Sequence, residues 1–127
     1  MAKTQPSRAR RTVTARRLGE AQMQLALDAA TSADPSFGAR AYAFIVAYVR
    51  EQAARLGGVS GEQVTLAARA AGIAPIDDRA FGSIYAKALR HGAIRVVGYC
   101  TRVRGHGGAG GRVYAAGDGI EQAGVQP

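Results

Sequence analysis

The chain has 127 residues, a formal charge of +8, an apolar content of 47% with 6% aromatics, and a single cysteine. The length suits one small domain with tails. Cys100 alone excludes an internal disulfide and fits a reducing cytosol, and no apolar run is long enough to span a bilayer.

The charge is segregated. Lys3, Arg8, Arg10, Arg11, Arg16 and Arg17 open the chain without an acid, and no apolar stretch follows them that would make a secretory signal. Residues 18–78 hold four Arg against seven acids. Arg79, Lys87, Arg90, Arg95, Arg102, Arg104 and Arg112 then follow with no acid before Asp118. A GC-rich genome accounts for Arg over Lys, but not for this clustering. Two basic blocks flanking a slightly acidic middle differ from a solubilising surface, which mixes the signs.

Residues 1–14 read as a disordered basic arm, polar and without an apolar period. A helix is predicted over about Ala15–Ala30, where Leu18, Ala21, Leu25 and Ala29 recur at helical spacing beside Met23 and Leu27. It can pack on its own core or pair with a second copy in a homodimer. Ser32, Asp34, Pro35 and Ser36 mark a break, so residues 15–37 form an N-terminal helix and linker. A stronger helix spans about Ala39–Leu56, with Ala41, Phe44, Ile45, Tyr48, Val49, Gln52 and Leu56 on one face. Gly57-Gly58 ends it, and Ser60 is placed to cap a helix from about Gly61 to Ala71 that buries Val64, Ala67, Ala68 and Ala71, or Leu66 and Ala70 at its edge.

Gly72 stops that helix, and Ile73 and Ile76 bracket Pro75 in a turn. Asp77 or Asp78 caps the next helix, about Asp78–Arg90, with the stripe Phe81, Ile84, Tyr85, Ala88 and Leu89. His91-Gly92 closes it, His91 serving as a C-cap group. Ala93–Val103 is rich in β-formers and predicts a strand with a bulge near Gly98 and with Cys100 in or beside the core. Arg104–Gly111 is a glycine-rich tip, Arg112–Ala116 a returning strand, and 118–127 a flexible tail. The fold class is therefore α+β, mainly α: a winged helix-turn-helix over 38–117 with an extra N-terminal helix and a basic arm. The turn over 72–77 is longer than a minimal helix-turn-helix turn.

Subtracting its apolar stripe from the helix over 78–90 leaves Arg79, Gly82, Ser83, Ala86, Lys87 and Arg90 outward. Small residues between cations let a helix approach a groove while long side chains reach phosphates. Arg79, Ser83, Lys87 and Arg90 are thus expected to face duplex DNA, with Arg102, Arg104, His106 and Arg112 holding phosphates from the wing. A solvated amphipathic helix with ordinary surface charges would have the same composition. Arg8, Arg10, Arg11, Arg16 and Arg17 can follow the minor groove or the backbone, or serve only solubility.

Gly105, Gly107 and Gly110 form a GxGxxG, but a dinucleotide fingerprint needs a strand before it and a helix after it. Here a strand follows, so no cofactor is expected. Glycines at a hairpin tip instead permit close approach of backbone amides to phosphate. Two isolated histidines and one cysteine give no metal-ligand spacing. No nucleophile stands beside a base, so the chain reads as a non-enzyme.

Gly61-Glu62-Gln63-Val64-Thr65, Ala70-Ala71-Gly72-Ile73, Asp77-Asp78-Arg79-Ala80-Phe81-Gly82, Arg90-His91-Gly92-Ala93-Ile94, Arg104-Gly105-His106-Gly107 and Ala109-Gly110-Gly111 carry a resemblance across the second half of the chain. It resembles small winged-helix proteins encoded by bacteriophages and prophages. The resemblance implies the fold and a phage setting in the cytoplasm of a bacterial host. Residues and resemblance together point to a double-stranded DNA-binding protein that regulates transcription or assists replication. The alternative is a phage module that binds and inhibits a host complex handling nucleic acid, in defence or transcription.

Overall fold

The computed structural model describes residues 8–100 and 111–118. Four helices, α1 (Arg8–Ala33), α2 (Phe37–Leu56), α3 (Gly61–Ala70) and α4 (Arg79–Arg90), are joined by strands β1 (Val59–Ser60), β2 (Ile94–Tyr99) and β3 (Arg112–Ala116). The strands form one antiparallel sheet in the order β1-β3-β2. The fold is therefore α+β and mainly helical. No described helix is long and apolar enough to cross a membrane.

The core is built where the helical stripes meet the sheet. Phe37, Ala41, Ile45 and Val49 of α2, Val64 and Ala68 of α3, and Phe81, Ile84, Tyr85 and Ala88 of α4 close around Val59, Ile94 and Tyr114. These are the faces that their 3.6-residue periods select. The Phe37 and Phe81 rings meet at 5.7 Å in a tilted contact. Leu56, expected at the end of the α2 stripe, is exposed instead.

Both helices of the central pair end in the same way. Gly72 (φ 92°) donates to the Arg69 carbonyl and Ile73 to that of Ala68, while Gly92 (φ 71°) donates to Leu89 and Ala93 to Ala88. These are Schellman ends: a left-handed residue turns the chain and two orphan carbonyls are satisfied. At the other end of α3, Ser60 Oγ accepts from the Gln63 amide at 3.1 Å, the cap that the sequence predicts. β2 shifts register against β3 between Val96 and Gly98, which is the bulge expected near Gly98.

α1 begins at Arg8, not near Ala15, so residues 8–14 are helical rather than part of a disordered arm. Its buried positions are Ala26 and Ala30, with Leu27 packed against the core, while Leu18 and Leu25 are each 64% exposed. The apolar stripe read from spacing faces outward because small alanines, not leucines, permit close helix packing. Cys100 is exposed, not core, since it lies just beyond the end of β2.

β1 is an addition that the sequence reading lacks. Val59 pairs with Tyr114 and Ser60 with Val113, so two residues before α3 are tied to the last described strand.

Candidate nucleic-acid interface

α4 is held from three sides. The Tyr85 hydroxyl donates to the Gly61 carbonyl at 2.9 Å and shares a 2.8 Å hydrogen bond with Thr65 Oγ1, which fixes α4 against α3. Burial pushes the Tyr85 hydroxyl's pKa well up and keeps it a neutral donor. On the α2 side, Lys87 Nζ lies 5.3 Å from the centre of the Tyr42 ring, and the Tyr42 hydroxyl shares a 3.1 Å hydrogen bond with His91 Nδ1. That is a cation–π placement at a partly wet surface.

On the third side α1 runs along α4, the most extensive helix–helix contact among the described residues. A Cβ at Gly82 would collide with Met23 Sδ. Ser83 and Ala86 are half-buried. Gly82 therefore makes room for α1, not for a groove. At Gly82 the element that approaches is α1, which the sequence did not show because nothing local links Met23 to Gly82.

Arg79 is likewise engaged within the fold. Its Nε donates to both Asp77 carboxylate oxygens at 3.0 and 3.1 Å, Nη2 donates to Oδ2 at 2.7 Å, and Nη1 donates to Gln22 Oε1 at 3.0 Å. Asp77 Oδ1 also accepts from the Arg79 amide at 2.9 Å, so the Asp77 side chain satisfies a first-turn amide of α4, while Asp78 at the N-cap position makes no side-chain cap bond. Asp78 pairs with Arg69 at 2.6 Å. These hydrogen bonds from the Arg79 side chain, then from its amide, hold the Asp77 carboxyl below the usual carboxylate range. The Arg79 guanidinium is thus shared between Asp77 and Gln22.

The other cations are differently placed. Arg90 is exposed in the last turn of α4. Arg95 is exposed on β2, its Nε donating to the Ala116 carbonyl at 3.0 Å. Arg112 is half-buried at the start of β3, opposite Tyr99. None of Lys87, Arg90, Arg95 and Arg112 is in an ion pair with a described carboxylate; the described pairs are Arg40–Asp34, Arg69–Asp78 and Arg79–Asp77. Arg16 and Arg17 are exposed on α1. Arg102, Arg104 and His106 lie outside the described residues, as do the side chains of Arg8, Arg10 and Arg11. Arg95 was counted with the basic block but not among the contact residues; its exposed position on the strand follows from alternation.

A groove of about 360 Å³ opens between α1 and the 72–77 turn, lined by Leu25, Ala29, Ala33, Pro75 and Ile76 among others. Its charged rim, Asp34, Asp77, Arg40 and Arg79, is spent in ion pairs. Among the described residues no group of His, Cys, Asp and Glu is placed to hold a metal ion. No protein-family model, curated protein or solved structure matches the chain.

Proposed function

We propose that the chain is a winged helix-turn-helix protein that binds double-stranded DNA without enzymatic activity, in the cytoplasm of a bacterial host. α3 and α4 are the helix-turn-helix pair, β2 and β3 flank the wing, and α1 is an added helix. The order α2-β1-α3-α4-β2-β3 with a β1-β3-β2 sheet supports this fold. The phage setting, and a role in transcription or replication, rest on the sequence resemblance.

The observation that carries the reading is the set of cations that no described ion pair engages: Lys87, Arg90, Arg95 and Arg112, on α4 and the strands that follow it. A guanidinium held by a carboxylate has little left for a phosphate, and none of these four is held by one in a described ion pair. Because α1 takes up the side of α4 around Gly82, the wing leads the contact and the C-terminal turn of α4 lies alongside it. Arg102, Arg104 and His106 belong to the wing tip by sequence; Arg16 and Arg17 are exposed on α1, and the sequence adds Arg8, Arg10 and Arg11 before them. Anisotropy titration of a labelled duplex at rising salt tests this. With roughly six to eight phosphates neutralised, log K falls with log salt at a slope of about −5 to −7. A flat response rejects the proposal.

The cover that α1 lays on α4 favours a second reading, a phage module that docks on a host complex handling nucleic acid and inhibits it. Winged helices do not by fold alone specify DNA as partner. A pull-down from nuclease-treated host lysate that retains a stoichiometric protein, together with no duplex binding, selects this reading over the first.

A further inference from the structure

We propose that the chain self-associates as a two-fold symmetric dimer through the outer face of α1, with the two α1 helices antiparallel. Three large apolar side chains stand in water on one continuous face: Leu18 and Leu25, each 64% exposed, and Ile76, 100% exposed. Leu18 and Leu25 are seven residues apart and so share a helix face. Leu25 and Ile76 both line the groove beside α1. Ala21 and Ala29 on the same face are exposed and small, which allows a second helix to come close.

Charge selects both the occupant and the direction. The N-terminal half of α1 carries Arg8, Arg10, Arg11, Arg16 and Arg17, and its C-terminal half carries Asp28 without a cation. A parallel pair would stack the arginines of one copy on those of the other. An antiparallel pair centred between Ala21 and Gln22 sets Leu18 against the partner's Leu25, and lays the arginine-bearing half of one helix along the Asp28-bearing half of the other. Asp28 is exposed and, among the described residues, accepts a hydrogen bond from Gln24 on its own helix. The helix dipoles are also opposed in that arrangement. In each copy the Leu18 side chain then enters the groove at Leu25, Ala29 and Ile76 of the other, which makes the contact isologous and closed.

The core side of α1 uses Ala26, Leu27 and Ala30, so the proposed contact takes nothing from the fold of either copy. The inference does not depend on DNA as the ligand.

Sedimentation velocity of the full chain across micromolar concentrations is expected to show a species of twice the 13.2 kDa monomer mass. Leu18→Lys with Leu25→Lys is expected to weaken association by about tenfold or more while the helical circular dichroism is kept. Direction is read separately. In a Cys100→Ser background, Leu18→Cys mixed with Leu25→Cys forms a mixed disulfide dimer under mild oxidation. A wild-type chain that stays monomeric overturns the proposal, and so does a Leu18→Cys chain that links only to itself. If the double-lysine variant fails to fold, the wild-type mass and the disulfide pattern still decide.

Discussion

Tyr85 and Tyr114 stack with ring centroids 5.3 Å apart and planes 12° from parallel, yet their hydroxyls meet different surroundings. The Tyr85 hydroxyl has Gly61 and Thr65; the Tyr114 hydroxyl is buried with no hydrogen-bond partner among the described residues. Burial raises the pKa of both, and the Arg112 guanidinium partly offsets this at Tyr114. Tyr85→Phe leaves a buried carbonyl and a threonine hydroxyl without their partner and is expected to cost about 1–3 kcal/mol. Tyr114→Phe removes an unpaired polar group and is expected to change stability by less than about 1 kcal/mol in either direction. Urea unfolding of the two variants checks the contrast. The sequence marks both residues as apolar-stripe or strand positions. It carries no sign of the stacking, which joins residues from α4 and β3 across 29 positions.

At the scale of elements, α4 starts from an exposed charge pair. Asp77 is held low by Arg79, and Asp34, before α2, is held low first by its bond from the Ser36 hydroxyl and then by the Ser36 amide, with Arg40 beside it. A carboxyl whose folded pKa lies below its unfolded value stabilises the fold above the unfolded value. That contribution is lost as pH falls through the folded value. Thermal melts taken from neutral pH into the acid range should therefore show Asp77→Asn less stable than the natural chain when neutral, with the gap closing below the ordinary carboxylate range. The boundaries of α2, α3 and α4 were legible because Ser60, Asp77, Gly72 and Gly92 are local signals that act on their own neighbours. The burial of α1 was not. Its leucines outrank its alanines in hydropathy, and the preference for Ala26 and Ala30 arises only from how closely α1 approaches the core.

For the whole molecule, the division between spent and free cations makes a prediction that net charge does not. Arg79→Gln is expected to leave duplex affinity within about twofold, because that guanidinium is already shared between Asp77 and Gln22. Arg90→Gln combined with Arg95→Gln is expected to weaken binding by about tenfold or more and to flatten the salt slope by about 2. Anisotropy at two salt concentrations measures both. The clustering of basic residues was plain in the sequence. Which of them bind carboxylates instead was not, since the Gln22 contact spans 57 positions and depends on where α1 lands.

The short ladder between β1 and β3 has a consequence for how the chain is made. Val59 and Ser60 leave the ribosome more than fifty residues before their partners Val113 and Tyr114. Until that late segment emerges, the nascent helices wait with the slot for the Tyr114 ring unfilled. A message cut short before codon 112 would release a product whose apolar interior stands open on one side, a ready substrate for quality-control proteases.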